Sequence, residues 1–221
     1  MQNTPFSWHP VWLSLQVASA AWLLVFIGAT WAAHFVARRT FRGKALLDAL
    51  LTLPLVLPPV VVGYALLLLL GKNGFIGALL EPLGVRLLFT PAAAVLAAAT
   101  VAFPLMYGTA KATFEAVDTH SLDAALSLGA TPARTFWTVS LPLARGGLIA
   151  GSVLSFARAL GEFGATIMVA GNIEELTTTM PTAIYSAAES GDLRLAGIFC
   201  ALLAALNLLF VLGLSFWKRN Q

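Results

Sequence analysis

The chain has 221 residues, of which 59% are hydrophobic and only 10% are charged. Soluble domains carry about 25% charged residues, so this composition excludes an ordinary soluble protein and predicts an integral membrane protein. The net charge of +3 does not indicate a nucleic-acid partner, because the basic residues gather at the ends of apolar runs. The length predicts one domain, 1–221, and the single cysteine, Cys200, suggests neither an intrachain disulfide nor a thiolate metal site.

The first apolar run, about 11–34, is long enough to cross a bilayer. No Lys or Arg precedes it, whereas a signal peptide needs a positively charged start. Four basic residues follow it instead: Arg38, Arg39, Arg42 and Lys44. We therefore expect a retained membrane helix whose N-terminus lies outside the cell.

The second predicted span, about 46–70, contains a proline-rich stretch with Pro54, Pro58 and Pro59. Proline removes a backbone donor and bends or breaks a helix, so this span is not expected to be straight. Backbone groups freed at membrane depth need protein or a wet cavity beside them. The sequence favours Pro58 and Pro59 as part of the wall of a translocation path, and a simple packing kink is the alternative.

A glycine-broken connection, 71–90, separates the second span from the third, which runs over about 91–112. Its apolar residues can form a short helix on the outer membrane interface. The motif GxxxxGK[ST] is absent from the whole sequence, so no ATP site of that type is predicted.

The longest polar-containing stretch between two apolar runs is 118–142. Asp118, Thr119 or Ser121 can cap the start of a short helix, and we expect Asp123 in its first turn, where the helix dipole favours a carboxylate. Gly129 then ends the helix in a left-handed conformation. On these features alone, 118–142 is a capped surface helix between two membrane spans.

The fourth predicted span, about 148–171, holds the charged residues Arg158 and Glu162, which flank Gly161. Four residues apart on a helix, the two charges share one face and can meet. Charged groups at membrane depth face protein or water rather than lipid. Two interpretations stay open: the pair lines an anion path, or it is a neutralised pair that holds the span against a neighbour. Because a net-neutral pair attracts anions poorly, we favour the second.

Residues 172–192 are expected outside, before a last span at about 193–216. They carry a hydroxyl cluster, Thr177, Thr178 and Thr179, which we interpret as an outer gate or a contact for a binding protein. An ordinary polar loop is the alternative.

The distribution of basic residues tests this arrangement. Segments placed inside hold nine of them and segments placed outside hold three, namely Lys72, Arg86 and Arg194. This bias predicts five spans with the N-terminus outside and the C-terminus in the cytoplasm, and it places 118–142 in the cytoplasm.

The pattern Asp123-Ala124-Ala125, Gly129 and Val139-Ser140-Leu141-Pro142 resembles the EAA-x3-G-x9-I-x-LP loop of ABC importer membrane subunits, with Asp for Glu and Val for Ile. In that family the loop forms a cytoplasmic coupling helix that docks on a separate ATPase subunit. The resemblance implies an all-α polytopic fold of the type I importer class, with no catalytic site, cofactor or metal of its own. The residues that it implies for ATPase coupling are Ser121, Asp123, Ala124, Ala125, Leu128, Gly129, Ala130 and Pro142.

Other strings extend the resemblance over nearly the whole chain. They look like the permease subunits of molybdate importers, and sulfate and tungstate permeases share parts of them. The resemblance implies a homodimer in the inner (plasma) membrane, two ATPase subunits inside and one substrate-binding protein outside, and lipid as the remaining contact. The strings are LPLVLPPVVVGY (53–64), GKNGFIG (71–77), FPLMYG (103–108), SFARALGEFGATIMVAGN (155–172) and PTAIY (181–185).

Two functions of other classes compete with an importer permease. A membrane-embedded enzyme would need a catalytic motif, and neither HExxH nor GxSxG occurs in the sequence. A passive anion channel would need a pathway but no coupling loop. Molybdate, tungstate and sulfate are tetrahedral dianions of similar size, so the residues alone do not separate them.

Overall fold

The computed structural model describes residues 6–219, with side chains up to residue 213, and all regular structure within this range is helical. A 3-10 turn, Glu81–Leu83, follows the short helix Phe75–Leu80, and a π-helical turn, Phe136–Ser140, joins the helices Pro132–Thr135 and Leu141–Leu160. The α-helices are α1 His9–Arg38, α2 Lys44–Val56, α3 Pro59–Leu70, α4 Phe75–Leu80, α5 Pro91–Ala116, α6 Thr119–Ser127, α7 Pro132–Thr135, α8 Leu141–Leu160, α9 Gly164–Val169, α10 Met180–Glu189 and α11 Leu193–Arg219.

Five helical stretches within the described residues are long and apolar enough to cross a membrane. The prediction of an all-α, five-span membrane protein is therefore confirmed. The predicted single domain, 1–221, includes residues 1–5 and 220–221, which lie outside the described residues, and it stays a prediction. The five stretches are His9–Arg38, Pro59–Leu83, Pro91–Ala116, Pro132–Leu160 and Leu193–Gly213.

The centre of the bundle is formed by α1, α5 and α8, which pack along one another. Small side chains line these contacts and are almost completely buried, as in Ala21 and Ala29 of α1 and Ala98 of α5. Small residues allow helix backbones to approach closely inside a membrane, where no hydrophobic force drives helices together. Trp22 of α1 also donates from its indole Nε1 to the Ser152 hydroxyl of α8, at 2.6 Å. The three helices therefore form one tightly connected unit.

The second predicted span, 46–70, is two helices rather than one. Leu57 adopts an extended conformation between α2 and α3, and Pro58 follows it outside either helix. A residue before proline avoids the helical conformation, and Pro59 fits the first position of a new helix. The expected departure from a straight helix is thus a complete break.

The fourth helical stretch lies earlier in the chain than the predicted 148–171. It runs through Pro132–Leu160, and α8 ends where Gly161 takes its C-terminal cap position. The short helix α9 then starts at Gly164. The expected span missed both ends because its boundaries followed the apolar residues, whereas the break is made by local glycine and cap chemistry.

Candidate functional site

The predicted coupling helix is α6, and its ends are built by short-range hydrogen bonds. Asp118 caps the start, where its Oδ1 accepts from the backbone N–H of His120 at 3.1 Å. At the other end, Gly129 has a φ of +86°, and the N–H of Ala130 donates to the carbonyl of Ala125 at 3.1 Å. This pattern is a glycine-terminated helix end of the kind that the sequence predicts.

One detail of this helix differs from expectation. The sequence predicts Asp123 in the first turn, but α6 starts at Thr119, so Asp123 is its fifth residue and lies beyond that turn. The difference follows from which of three possible caps the chain uses. With Asp118 as the cap, the helix begins one residue earlier than it would with Thr119 and three residues earlier than it would with Ser121.

The coupling segment, defined as residues 118–130 (the Asp118 cap, α6 and the turn after it), projects from the bundle. No residue of α6 is buried, and Leu128, just after it, is 89% exposed. The helix α6 contacts α7 and the π-helical turn. Ser121, Asp123, Ala124, Gly129 and Pro142 are also exposed, whereas Ala125 and Ala130 are partly covered. An exposed helix with a large apolar side chain at its tip is the shape that a groove on another protein would accept.

The second group of predicted site residues lies where two helix breaks meet. The short helix α9 packs against α3. A β-carbon added to Gly164 would lie 2.9 Å from the Pro59 Cβ, and one added to Gly63 would lie 2.8 Å from the Cα of Ala165. The break between α2 and α3, at Pro58 and Pro59, therefore lies next to the break between α8 and α9, at Gly161 and Glu162.

Arg158 and Glu162 form the ion pair that their spacing predicts. Arg158 Nη1 lies 2.7 Å from Glu162 Oε2, and the Glu162 side chain is only 1% exposed against 30% for Arg158. The other carboxylate oxygen, Oε1, accepts from the backbone N–H of Ala165 at 2.8 Å. Glu162 thus caps α9 in addition to pairing with Arg158, a contact that sequence reasoning missed.

Two of the three predicted outer threonines are buried. Thr177 is fully buried, and its hydroxyl accepts from the N–H of Ile173 at 2.9 Å. Thr179, 4% exposed, caps α10 in a reciprocal arrangement with Thr182, whose hydroxyl accepts from the Thr179 N–H at 2.8 Å. Thr178 is partly exposed and donates to the side-chain oxygen of Asn172. Among the three, only Thr178 offers a surface that a partner could contact.

The exposed part of this region is the preceding turn, which sequence reasoning did not single out. Glu174 and Glu175 are exposed, and Glu175 has a φ of +58°. Ile173 and Leu176 on either side of them are 40% and 46% exposed.

A polar cluster between α2 and α5 was also missed. The Tyr107 hydroxyl donates to Asp48 Oδ1 at 2.6 Å, and Lys111 forms an ion pair with the other oxygen of Asp48. Glu115, one turn further along α5, lies 4.0 Å from Lys111. The four-residue spacing of Tyr107, Lys111 and Glu115 on one helix was the available signal. Asp48, the single acidic residue of α2, supplied no pattern of its own.

Five helical stretches long enough to span a membrane, a break just before the second that adjoins a break just after the fourth, and an exposed capped helix between the third and fourth define a polytopic membrane protein. Residues 3–217 match the family described as the binding-protein-dependent transport system inner membrane component. The chain belongs to this family.

Two relatives within the family are similar over almost their whole length. The chain is 48% identical over 220 residues to the molybdenum transport system permease protein ModB of Escherichia coli strain K12, covering 97% of this chain and 96% of that one. It is 47% identical over 204 residues to the putative molybdenum transport system permease protein YvgM of Bacillus subtilis strain 168, covering 91% and 90%.

Among solved structures, the fold resembles that of a chain from a bacterial alginate ABC transporter in complex with an alginate pentasaccharide-bound periplasmic protein. The TM-score is 0.78 at 16% identity, covering 99% of this chain and 80% of that one. The fold is that of a type I ABC importer permease, as the sequence predicts.

Proposed function

We propose that this chain is the membrane permease subunit of an ATP-driven importer that carries molybdate across the inner membrane by alternating access. The observation that carries the substrate assignment is the 48% identity, over nearly both full lengths, to a molybdenum transport permease. Tungstate and sulfate remain the alternative cargoes, because all three are tetrahedral dianions of similar size.

The partners in this proposal are two cytoplasmic ATPase subunits, one external substrate-binding protein and a second copy of the chain. The exposed α6 with Leu128 supports an ATPase contact. Large apolar side chains on the outer surfaces of α3 and α11, such as Tyr64, Leu68 and Leu209, support burial against lipid or the second copy. ATP hydrolysis would take place on the ATPase subunits, and this chain would supply the path and the coupling surface.

The transport step in this proposal is a rigid-body movement. ATP binding draws the two ATPase subunits together and moves the two coupling helices with them, so that the spans switch between inward-open and outward-open arrangements. The adjoining breaks at Pro58–Pro59 and Gly161–Glu162 leave backbone groups outside regular helix at the ends of two spanning stretches. Such groups are tolerated beside protein or a wet cavity. We place the translocation path along this junction.

The orientation follows the charge bias, with the N-terminus outside and the C-terminus in the cytoplasm. In this orientation α6 faces the ATPases. The turn at Ile173–Thr178 and α4 lie on the outer side, where a binding protein would dock. Phe75 and Leu79 of α4, near the far end of the spanning stretch Pro59–Leu83, are 82% and 67% exposed, which fits a short helix where this stretch reaches the outer interface.

The test is reconstitution of the chain in proteoliposomes with its ATPase subunit and its binding protein. We expect ATP-dependent molybdate uptake that requires both partners, and no ATP hydrolysis by the chain alone. Molybdate uptake that persists without the ATPase would make the protein a channel. ATP-dependent uptake of sulfate but not molybdate would assign it to the sulfate permeases.

A further inference from the structure

The inner end of α1 contacts the chain on both sides of the coupling segment. The imidazole of His34 lies between two phenylalanine rings, with its centroid 5.1 Å from that of Phe114 and 4.6 Å from that of Phe136. Both contacts are edge-to-face, a favourable arrangement for aromatic rings. Phe114 is in the last turn of α5 before the coupling segment, and Phe136 follows α7 after it. The His34 side chain of α1 therefore contacts the chain both before and after the coupling segment.

Arg38 lies one turn after His34 and reaches the same region. Its Nη2 donates to the backbone carbonyl of Val117 at 3.4 Å. Val117 is the C-terminal cap of α5 and directly precedes Asp118, the N-terminal cap of α6. Residues four apart share a helix face, so His34 and Arg38 present one surface to the start and the end of the coupling segment.

The coupling helix has no buried residue with which to fix its own orientation. Its position relative to the bundle must therefore be set at its two ends. Contacts to the chain just before and just after these ends come from α1, which packs along both α5 and α8 at the centre of the bundle. A displacement of α6 would consequently reach the core through α1 as well as along the chain.

The region around His34 and Arg38 also contains buried polar atoms that form no hydrogen bond. Three buried polar atoms, His34 Nδ1, Arg38 Nε and Thr135 Oγ1, have no hydrogen-bond partner within residues 6–219. Unpaired buried polar atoms cost free energy and need an explanation. A second arrangement of these side chains, in which the three atoms form hydrogen bonds, would provide that explanation. Such an arrangement is expected at a point that moves during a transport cycle.

We propose that His34 and Arg38 are positioning residues for coupling: they hold the coupling helix against the inner end of α1, so that its movement is transmitted to the spans. This inference rests on the proposed importer function for its consequence, but the positioning itself concerns only this chain. Loss of either residue should leave α6 folded but loosely oriented. ATP hydrolysis would then be less tightly linked to substrate movement.

The first measurement is amide hydrogen exchange over 117–136 in the full chain, in lipid nanodiscs and bound to its ATPase. We expect exchange about tenfold faster in Arg38→Ala and in His34→Ala, because local opening becomes easier. His34→Phe should exchange like the wild type, since it keeps the ring that packs between Phe114 and Phe136. Arg39→Ala is the matched control, because Arg39 is exposed and its guanidinium packs over the Phe35 ring.

The second measurement is molybdate uptake per ATP hydrolysed in proteoliposomes. We expect this ratio to fall about threefold or more in Arg38→Ala and His34→Ala, with ATP hydrolysis retained, and to stay normal in His34→Phe and Arg39→Ala. A general loss of folding would lower hydrolysis and transport together instead. If Arg38→Ala aggregates, Arg38→Lys decides, with an intermediate acceleration of exchange expected.

Wild-type exchange over 117–136 in both alanine variants would overturn the proposal, as would an unchanged ratio of uptake to hydrolysis. The proposed function fails in a different way. If the wild-type complex moves no molybdate while the exchange differences persist, the importer assignment for molybdate is wrong and the positioning role stands.

Discussion

Gly164 lies directly against Pro59, because a β-carbon added to Gly164 would be only 2.9 Å from the Cβ of Pro59 and 3.3 Å from the backbone nitrogen of Val60. Atoms of the protein interior do not approach this closely, so glycine is required here for packing. Two residues that are 105 positions apart thereby bring the two broken spans together. The candidate path depends on this contact.

Gly164→Ala should therefore force α9 away from α3. Overpacking a tight contact typically costs about 1–3 kcal/mol, so we expect a lower unfolding temperature in detergent and reduced transport. Gly197→Ala is the matched control, because nothing lies within 4 Å of the β-carbon that it adds. Equal stability of Gly164→Ala and Gly197→Ala would show that the contact between α3 and α9 tolerates the extra atom.

Much of this fold follows from local sequence features, and the site follows only in part. Apolar runs of sufficient length predict five spans, and Pro58 predicts a disturbed second span. Proximity of Pro59 to Gly164 was not predictable, because it depends on how two distant helices pack. The ion pair of Arg158 and Glu162 was accessible from spacing, whereas the cap that Glu162 provides for α9 required knowing that the helix ends at Leu160.

The outer threonines show that residue type alone does not predict which side chains are exposed to a partner. A cluster of hydroxyl groups in a polar loop suggested a surface for a partner, yet Thr177 and Thr179 use their hydroxyls within the chain. Thr179 followed by Pro181 is a helix-start signal that is visible in the sequence and could have favoured the structural interpretation, although Thr182 departs from the Glu or Gln of the usual capping box. The burial of Thr177 was not visible there, since it comes from tertiary packing.

Substitutions of Gly129 test whether the turn at the end of α6 is needed for binding the ATPase. Its φ of +86° is costly for β-branched residues, while open space around it excludes a clash. We expect Gly129→Val to distort the end of α6, at a cost of about 1–2 kcal/mol, and to lower capture of the ATPase by the tagged permease. Gly129→Asn should retain most capture, because asparagine tolerates the left-handed conformation. Equal capture by both variants would argue against a role for this turn in docking.

The orientation of the chain can be measured with single cysteines. In a Cys200→Ser background, Ser127→Cys at the end of α6 and Ser190→Cys after α10 both lie at exposed positions. The charge bias predicts that an impermeant thiol reagent applied from outside labels position 190 and not position 127. Permeabilised cells should label at both. Outside labelling of both positions in intact cells would contradict the five-span orientation.

The burial of Thr177 separates structure from partner binding in the outer loop. Thr177→Val keeps the shape but removes the hydroxyl that accepts from the N–H of Ile173, so this partly buried hydrogen bond is lost at a cost of about 0.5–1.5 kcal/mol. We expect lower thermal stability for Thr177→Val and near-normal stability for Thr177→Ser. Thr178→Ala should leave stability almost unchanged and weaken stimulation by the binding protein if this loop is the docking surface.

Variants of Arg158 and Glu162 distinguish between a structural role and a transport role for this ion pair. Removing one partner of a buried pair costs about 3–5 kcal/mol, because the remaining charge is uncompensated. Arg158→Gln should therefore destabilise the protein strongly, since the Glu162 side chain is almost fully buried. In the double variant Arg158→Gln, Glu162→Gln, the amide oxygen can still accept from Ala165, so stability should largely return. Exchanging the two residues is a less clean test, because an arginine at 162 cannot accept that hydrogen bond.

The stable double variant should then be measured for molybdate uptake with its ATPase and binding protein. Normal uptake would make the pair purely structural, whereas a stable, assembled complex that hydrolyses ATP without uptake would assign Arg158 to the anion path.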